Sequence, residues 1–292
     1  MAAGTINLDR SAMRALRRLA VRFVSRAARP LASPNPSDQA VHGARKDLKR
    51  ARTGLRLLRP ALGERIYRRE NVVLRDAAHT LNRARDAKTL VETLQSLRRS
   101  SRSLRAAPGV AELLGALQAE HASAQRRLEG HPAELTRMRE ELRQLCGRAD
   151  EWRTGNHGWS VLGPALKRMY RRGRRALPKT GQRASDASLH EWRKQVKYVR
   201  YALEMLKSAR SGKLARRAEQ LTDTLGDAHD LTVLARKARG FAKRNRIDLE
   251  VLLVVTERRR NRLAADSLRS GEEFFGDKPR DWERYLSGHS HR

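Results

Sequence analysis

Two segments of this chain repeat one pattern, VHGARKDLKRAR at 41–52 and LHEWRKQVKYVR at 189–200. Each places His, Arg, Lys and Lys at i, i+3, i+4 and i+7 and Arg at i+10. The residues are His42, Arg45, Lys46, Lys49 and Arg52 in the first segment and His190, Arg193, Lys194, Lys197 and Arg200 in the second. At about 100° per residue the five positions share a stripe roughly 120° wide on one helix face. Arg56 extends the first stripe. The intervening apolar residues fall on a different face: Ala44, Leu48, Ala51, Leu55 and Leu58 in the first segment, Trp192, Val196, Val199, Leu203 and Leu206 in the second. Both segments therefore read as helices with a core side and a cationic side. Like charges at i,i+4 destabilise a helix by roughly 0.2–0.5 kcal/mol per pair. One such helix is ordinarily a solvated basic surface, but two copies with the same spacing and a leading His invite an external polyanion.

The whole chain leans the same way. Its 64 Lys and Arg against 32 Asp and Glu give a formal net charge of +32, which points to nucleic acid, an anionic membrane or inorganic polyphosphate as the counter-charge. The 39% of hydrophobic residues suffice for a core, and with aromatics at 4% that core is mostly aliphatic. Cys146 is the only cysteine. That leaves no intramolecular disulfide and no Cys-based zinc site, and nothing suggests an oxidising compartment. The longest aliphatic run, Val251 to Val255, is far short of the roughly 20 residues of a membrane span. The Arg-rich stretch MRALRRLAVRFVSRAARP superficially resembles a transit peptide, but a first bundle helix accounts for it equally well. There is no secretory apolar region, and a cytoplasmic location is expected.

Taken in order, residues 11–28 read as a basic helix ended by the Pro30, Pro34 and Pro36 loop. Ser37 or Asp38 can cap the first stripe helix, which runs to about Arg59 before Pro60 and Gly63 break it. Periodicity resumes from Glu64 to about Ser100 as one long helix or two nearly continuous ones, through LNRARDAKTL at 81–90. Pro108-Gly109 is the next break, followed by helices at 110–129 and 133–150 that look solvated, and TGNHG at 154–158 is the midpoint linker. Helix 159–176 repeats the stripe spacing in Arg168, Arg171, Arg172 and Arg175. After a loop at Pro178 to Gly181, the second stripe helix runs from about Asp186 to Ala209. LTDTLGDAHDLTVL at 221–234 lies on a helix reaching the low 240s, and another spans about Asp248 to Arg269. The segment 270–292, with Phe274, Phe275, Trp282 and Tyr285, either docks a short helix or frays. Aligning Asp86 with Asp230 pairs Leu81 with Leu225, Arg85 with His229 and Leu90 with Leu234. The expectation is an all-α single domain over 8–285, with pseudo-repeats at about 8–150 and 158–285 forming two helical bundles related by a pseudo-twofold.

These residues resemble the CHAD family, the conserved histidine α-helical domain, marked by a duplicated His-x-x-Arg-Lys-x-x-Lys helix. Leu225-Gly226-Asp227-Ala228-His229-Asp230 is similar to a second family segment, Asn82-Arg83-Ala84-Arg85-Asp86 matches it more weakly, and YRRGRRA at 170–176 is similar to the family's mid-chain helix. The matching elements cover roughly residues 10 to 270. The resemblance implies two bundle-like halves around a basic central channel that binds inorganic polyphosphate without catalysis. It implies ligand contacts at His42, Arg45, Lys46, Lys49, His190, Arg193, Lys194 and Lys197. To these we add Arg52, Arg56, Arg85, Arg168, Arg172, Arg175, Arg200 and His229 as expected contacts. Asp86 and Asp230 are expected to orient neighbouring cations, although a helix cap or local salt bridge accounts for them as well. Asn82 and Arg83 stand where the second half has Gly and Asp, which weakens the case for Asp86. Neither metal nor cofactor is expected. The family's ligand suggests association with polyphosphate granules.

Polyphosphate has about one negative charge per unit and no bases, so a row of cations must recognise it. A stripe of 10 to 14 residues extends about 15–21 Å. Arg offers bidentate contacts and Lys a mobile point charge, and a bound polyanion should favour protonated His42 and His190, tightening binding towards pH 6. The main rival is sequence-nonspecific nucleic-acid binding, for which no zinc finger, RNP-like sheet or stacking platform is evident. His229-Asp230 superficially resembles the pair of metal-dependent phosphohydrolases, but further His and Asp ligands are missing. LHEWRK resembles a histidine-kinase phosphoacceptor helix, but without a Gly-rich nucleotide-binding domain. A membrane-surface role lacks the Trp/Phe/Leu face it needs.

Overall fold

Both stripe helices start on the same device. Ser37 Oγ accepts from the Ala40 N–H at 3.2 Å, and Ser185 Oγ accepts from the Ser188 N–H at 3.1 Å, each satisfying an amide that the first turn leaves without a helical partner. The helices they open are α2 (Asp38–Thr80) and α8 (Asp186–Glu204). In the computed structural model, which describes residues 11–33, 35–155, 158–178, 184–206 and 208–288 and only the backbone at 83 and 84, the other helices are α1 (Ala12–Ala28), α3 (Asn82–Ser100), α4 (Arg102–Ala106), α5 (Pro108–Glu129), α6 (Pro132–Asp150), α7 (Trp159–Ala176), α9 (Ala209–Asn245), α10 (Glu250–Phe274) and α11 (Pro279–Ser287). The described residues contain no strand, and none of their helices is long and apolar enough to cross a membrane. The centre of the TGNHG linker and most of the loop after Pro178 lie outside the described residues.

The expected break in α2 falls at Gly63, whose φ of 75° and ψ of 169° divide the element into two helical pieces. That conformation is one an L side chain rarely adopts. Pro108 begins α5 rather than breaking it, because the missing N–H of proline costs nothing at a first helical position. The second stripe helix ends at Glu204, five residues earlier than expected. Ser208 takes an extended backbone there and caps α9, its Oγ accepting from the Ser211 N–H at 3.0 Å. The chain after Arg269 docks. Trp282 of α11 stacks on Tyr170 of α7 with ring centroids 4.4 Å apart, and the Tyr170 hydroxyl donates to the backbone oxygens of Phe274 and Asp277.

Apolar packing divides into two cores. One joins the buried faces of α1, α2 and α6 to those of α7, α8, the start of α9, the end of α10 and α11. The other joins α3, α4 and α5 to the later part of α9 and the start of α10. Each core thus takes helices from both sequence halves. Helix α9 links the two, giving Leu214, Leu221 and Leu225 to the first core and Leu231, Leu234 and Ala238 to the second. Trp192 shows how close the first core is packed: a Cβ on Gly271 would lie 2.4 Å from its ring, so no larger residue fits there.

Candidate functional site

Burying Val41, Ala44, Leu48 and Leu55 on α2, and Trp192, Val196 and Val199 on α8, leaves the cationic faces of both helices turned away from the core. They meet at a cavity of about 570 Å³ between α2, α3, α8 and α9. His42, Arg45, Lys46 and Lys49 line it from α2, Arg193, Lys197 and Arg200 from α8, Arg85 and Asp86 from α3, and His229 and Asp230 from α9. Eleven residues expected from the sequence, far apart in the chain, therefore share one cavity.

These cations differ in what already neutralises them. Arg45 donates to the Leu81 carbonyl at 3.3 Å and to Asn82 Oδ1, and lies 3.6 Å from Asp86. Lys46, Lys49, Arg193 and Lys197 have no carboxylate within ion-pair distance among the described residues. Arg193 Nε is buried without a hydrogen-bond partner, and its guanidinium lies over Gly226, where an added Cβ would sit 3.6 Å away. Arg200 is only 7% exposed and is held by Glu204 at 2.8 Å, Asp223 at 3.1 Å and Glu219, with Thr222 accepting at 2.8 Å. It is a cross-link between α8 and α9 that also touches the cavity.

Burial governs the protonation equilibria, and the neighbouring cations add to it. Burial, then the Arg193 and Lys49 charges, push the Lys197 ammonium down to about 6. Burial with Arg45 and Arg193 brings Lys49 to about 8. Burial and the Arg193 charge lower His229 to about 4, and burial with neighbouring cations lowers His42 and His190. Burial raises Asp227 and Asp230 against the pull of nearby arginines. The site holds positive charge that its surroundings solvate poorly, the condition under which an anionic ligand gains most.

The cavity also has an acidic side that sequence reasoning identified only at Asp230. Glu219, Asp223, Asp227 and Asp230 follow one another by four, four and three residues along α9, and all line it. Their helical spacing was the available signal.

Other expected residues lie elsewhere. The His190 ring packs against that of His229 with centroids 4.7 Å apart, so it adjoins the cavity without lining it. Lys194 is exposed and paired with Glu191. Arg52 Nε donates to Asn71 Oδ1 at 3.2 Å. Arg56, Arg168 and Arg172 line a second pocket of about 390 Å³ between α2, α7 and α8. Arg175 is exposed and lines neither. Among the described residues no group of three or more His, Cys, Asp or Glu is placed to hold a metal.

A family model described as the CHAD domain matches residues 14–239. Among solved structures, the chain is similar to the CHAD domain from the plant Ricinus communis, at 17% identity and a TM-score of 0.63 over 94% of this chain and 93% of that one. It is similar also to PptA from Streptomyces chartreusis, at 17% identity and a TM-score of 0.61 over 91% and 97% of the respective chains. At such identities the likeness is one of fold. No curated protein matches.

Proposed function

The chain belongs to the CHAD domain family, and from that premise we propose that its central cavity binds inorganic polyphosphate without transforming it. The observation that supports this best is the set Lys46, Lys49, Arg193 and Lys197, four basic side chains from two helices that face one cavity with no carboxylate within ion-pair distance among the described residues. A phosphate chain supplies the missing charge at regular intervals along its length. Arg193 can clamp two oxygens of one phosphate, and the lysines can follow neighbouring units as mobile charges. The acids of α9 bound the cationic lane on its other side, which confines the chain to the α2 and α8 walls by repulsion.

Tyr201 is the aromatic residue in the lining, and one ring is a poor platform for successive nucleotide bases. The His229–Asp230 pair sits among Arg193 and Lys197, a setting suited to holding phosphate oxygens. Catalysis has no part in this reading.

The experiment is equilibrium titration of long-chain polyphosphate, duplex DNA and single-stranded RNA at about 50 and 200 mM salt, with a Lys49→Ala/Lys197→Ala variant alongside. Polyphosphate binding that persists at the higher salt and is lost in the variant, while nucleic acids fall away, supports a dedicated site. Affinities that collapse together with salt and ignore the substitutions reduce the interaction to bulk charge and defeat the reading.

A further inference from the structure

The second pocket separates three of the expected arginines from the cavity. Arg56 comes from α2 and Arg168 and Arg172 from exposed positions on α7, with Tyr198 of α8 between them. The Arg56 guanidinium lies over the Tyr198 ring at 4.1 Å and donates to its hydroxyl at 3.2 Å, which holds the side chain in place. Its Nε is buried without a partner. No carboxylate lies within ion-pair distance of Arg56, Arg168 or Arg172 among the described residues. Glu64, the acid in the lining, is taken by Arg59 at 2.7 Å and by Arg68 at 2.6 Å. The pocket therefore presents three available guanidinium groups and an acid already neutralised.

The same face of α2 leads from one site to the other. Lys49 lines the cavity, Arg52 follows at i+3 and Arg56, in the second pocket, at i+7. At 1.5 Å per residue, seven residues cover about 10 Å. Arg52, anchored by Asn71, stands midway. On α8, by contrast, Tyr198 points to a different face from Arg193 and Lys197, so the pocket is distinct from the cavity and joined to it along α2.

We propose that this pocket is a second phosphate station, reached along α2 by a polyphosphate chain seated in the central cavity, so that long chains engage both sites and short ones only the first. The inference rests on the polyphosphate reading above and adds a chain-length preference to it. A tethered second contact acts at high effective concentration, so even a weak station raises the affinity of a chain long enough to reach it.

The test titrates tripolyphosphate and long-chain polyphosphate against the full chain and three variants. Arg168→Glu/Arg172→Glu should weaken long-chain binding roughly tenfold or more while leaving tripolyphosphate within about twofold. Arg171→Glu/Arg174→Glu makes the same change of charge on exposed positions of the same helix outside the pocket, and should cost the long chain less than about threefold. Equal losses in the two charge-reversal variants, or no loss in either, overturn the second station. Lys49→Ala/Lys197→Ala should weaken both probes. If it weakens neither, the central reading has failed. If it weakens both while Arg168→Glu/Arg172→Glu spares the long chain, the second station alone has failed.

Discussion

Helices α2 and α8 present the same residue types at the same spacing, yet the fold uses them differently. At i+3, Arg45 is tied to Leu81, Asn82 and Asp86, whereas Arg193 faces the cavity with a buried Nε and no partner. At i+4, Lys46 lines the cavity, whereas Lys194 is outside it and paired with Glu191. At i+10, Arg52 rests on an asparagine, whereas Arg200 is locked among three carboxylates. Helical spacing determines the direction of a charge. The neighbours that pack against it decide whether the charge remains available to a ligand.

The i+10 pair should separate most strongly. Arg200→Ala removes a buried guanidinium that hydrogen-bonds to Glu204, Asp223 and Thr222, and although Glu204 keeps Arg50 at 2.9 Å, the loss is expected to cost about 2 kcal/mol of stability. Arg52→Ala should cost about 1 kcal/mol. Chemical denaturation of the two variants gives the comparison, and equal midpoints would show that Arg200 is no cross-link. The i+3 pair comes next. Losing the charge-assisted contacts of Arg193 should weaken polyphosphate binding by about 2 kcal/mol, roughly thirtyfold. Arg45→Ala should cost less affinity, since part of that guanidinium is already engaged within the protein. Calorimetric titration of both would reverse this assignment if Arg45 proved the more important.

The pH dependence is a subtler contrast, between Lys197 and Lys49. A bound polyanion raises the depressed pKa of Lys197, so the contribution of its charge to affinity is complete below about 6 and is lost as pH rises towards the bound-state value. Affinity should therefore tighten from pH 8 to 6, by at most about tenfold per unit for one proton. Lys49, brought down only to about 8, contributes its dependence mainly above that pH. Without ligand the sign is opposite for folding. Lys197 is neutral in the folded protein but charged when unfolded between about 6 and 10.5, so stability should rise with pH across that window. In Lys197→Met the affinity slope between pH 6 and 8 should flatten; an unchanged slope would remove Lys197 from the linkage. The smallest effect belongs to the i+4 pair. Lys194→Ala should change affinity less than about twofold, as expected of an exposed ion pair, and Lys46→Ala several times more. Reversal of that order would place the ligand on the outer face of α8.

Much of this is legible in the sequence. The apolar period that buries Leu48 and Trp192 also turns the cations outward, and Ser37 and Ser185 mark the helix starts because their hydroxyls satisfy amides locally. Gly63 marked the bend for a comparable reason. Long-range contacts were not legible. Nothing in LHEWRKQVKYVR says that Arg200 meets Glu219 and Asp223, since that depends on how α9 crosses α8. The acidic face of α9 is periodic in sequence, yet its meaning appears only when α2 and α8 stand opposite. Likewise Arg168 and Arg172 share the stripe spacing, but the placement of α7 directs them to a separate pocket.

The interleaving of the two cores has a consequence for biosynthesis. When the ribosome has made only the first half, α1 and α2 lack the α7 and α8 faces that cover them, and α3 to α5 lack α9 and α10. At about 5–20 residues per second the remainder takes on the order of ten seconds to emerge, and the parts of both cores that the later helices cover stay exposed for that interval. The nascent chain should therefore be a substrate for trigger-type holdases, and ribosome-bound chains stalled after Asp150 should be cleaved by protease far faster than the finished protein.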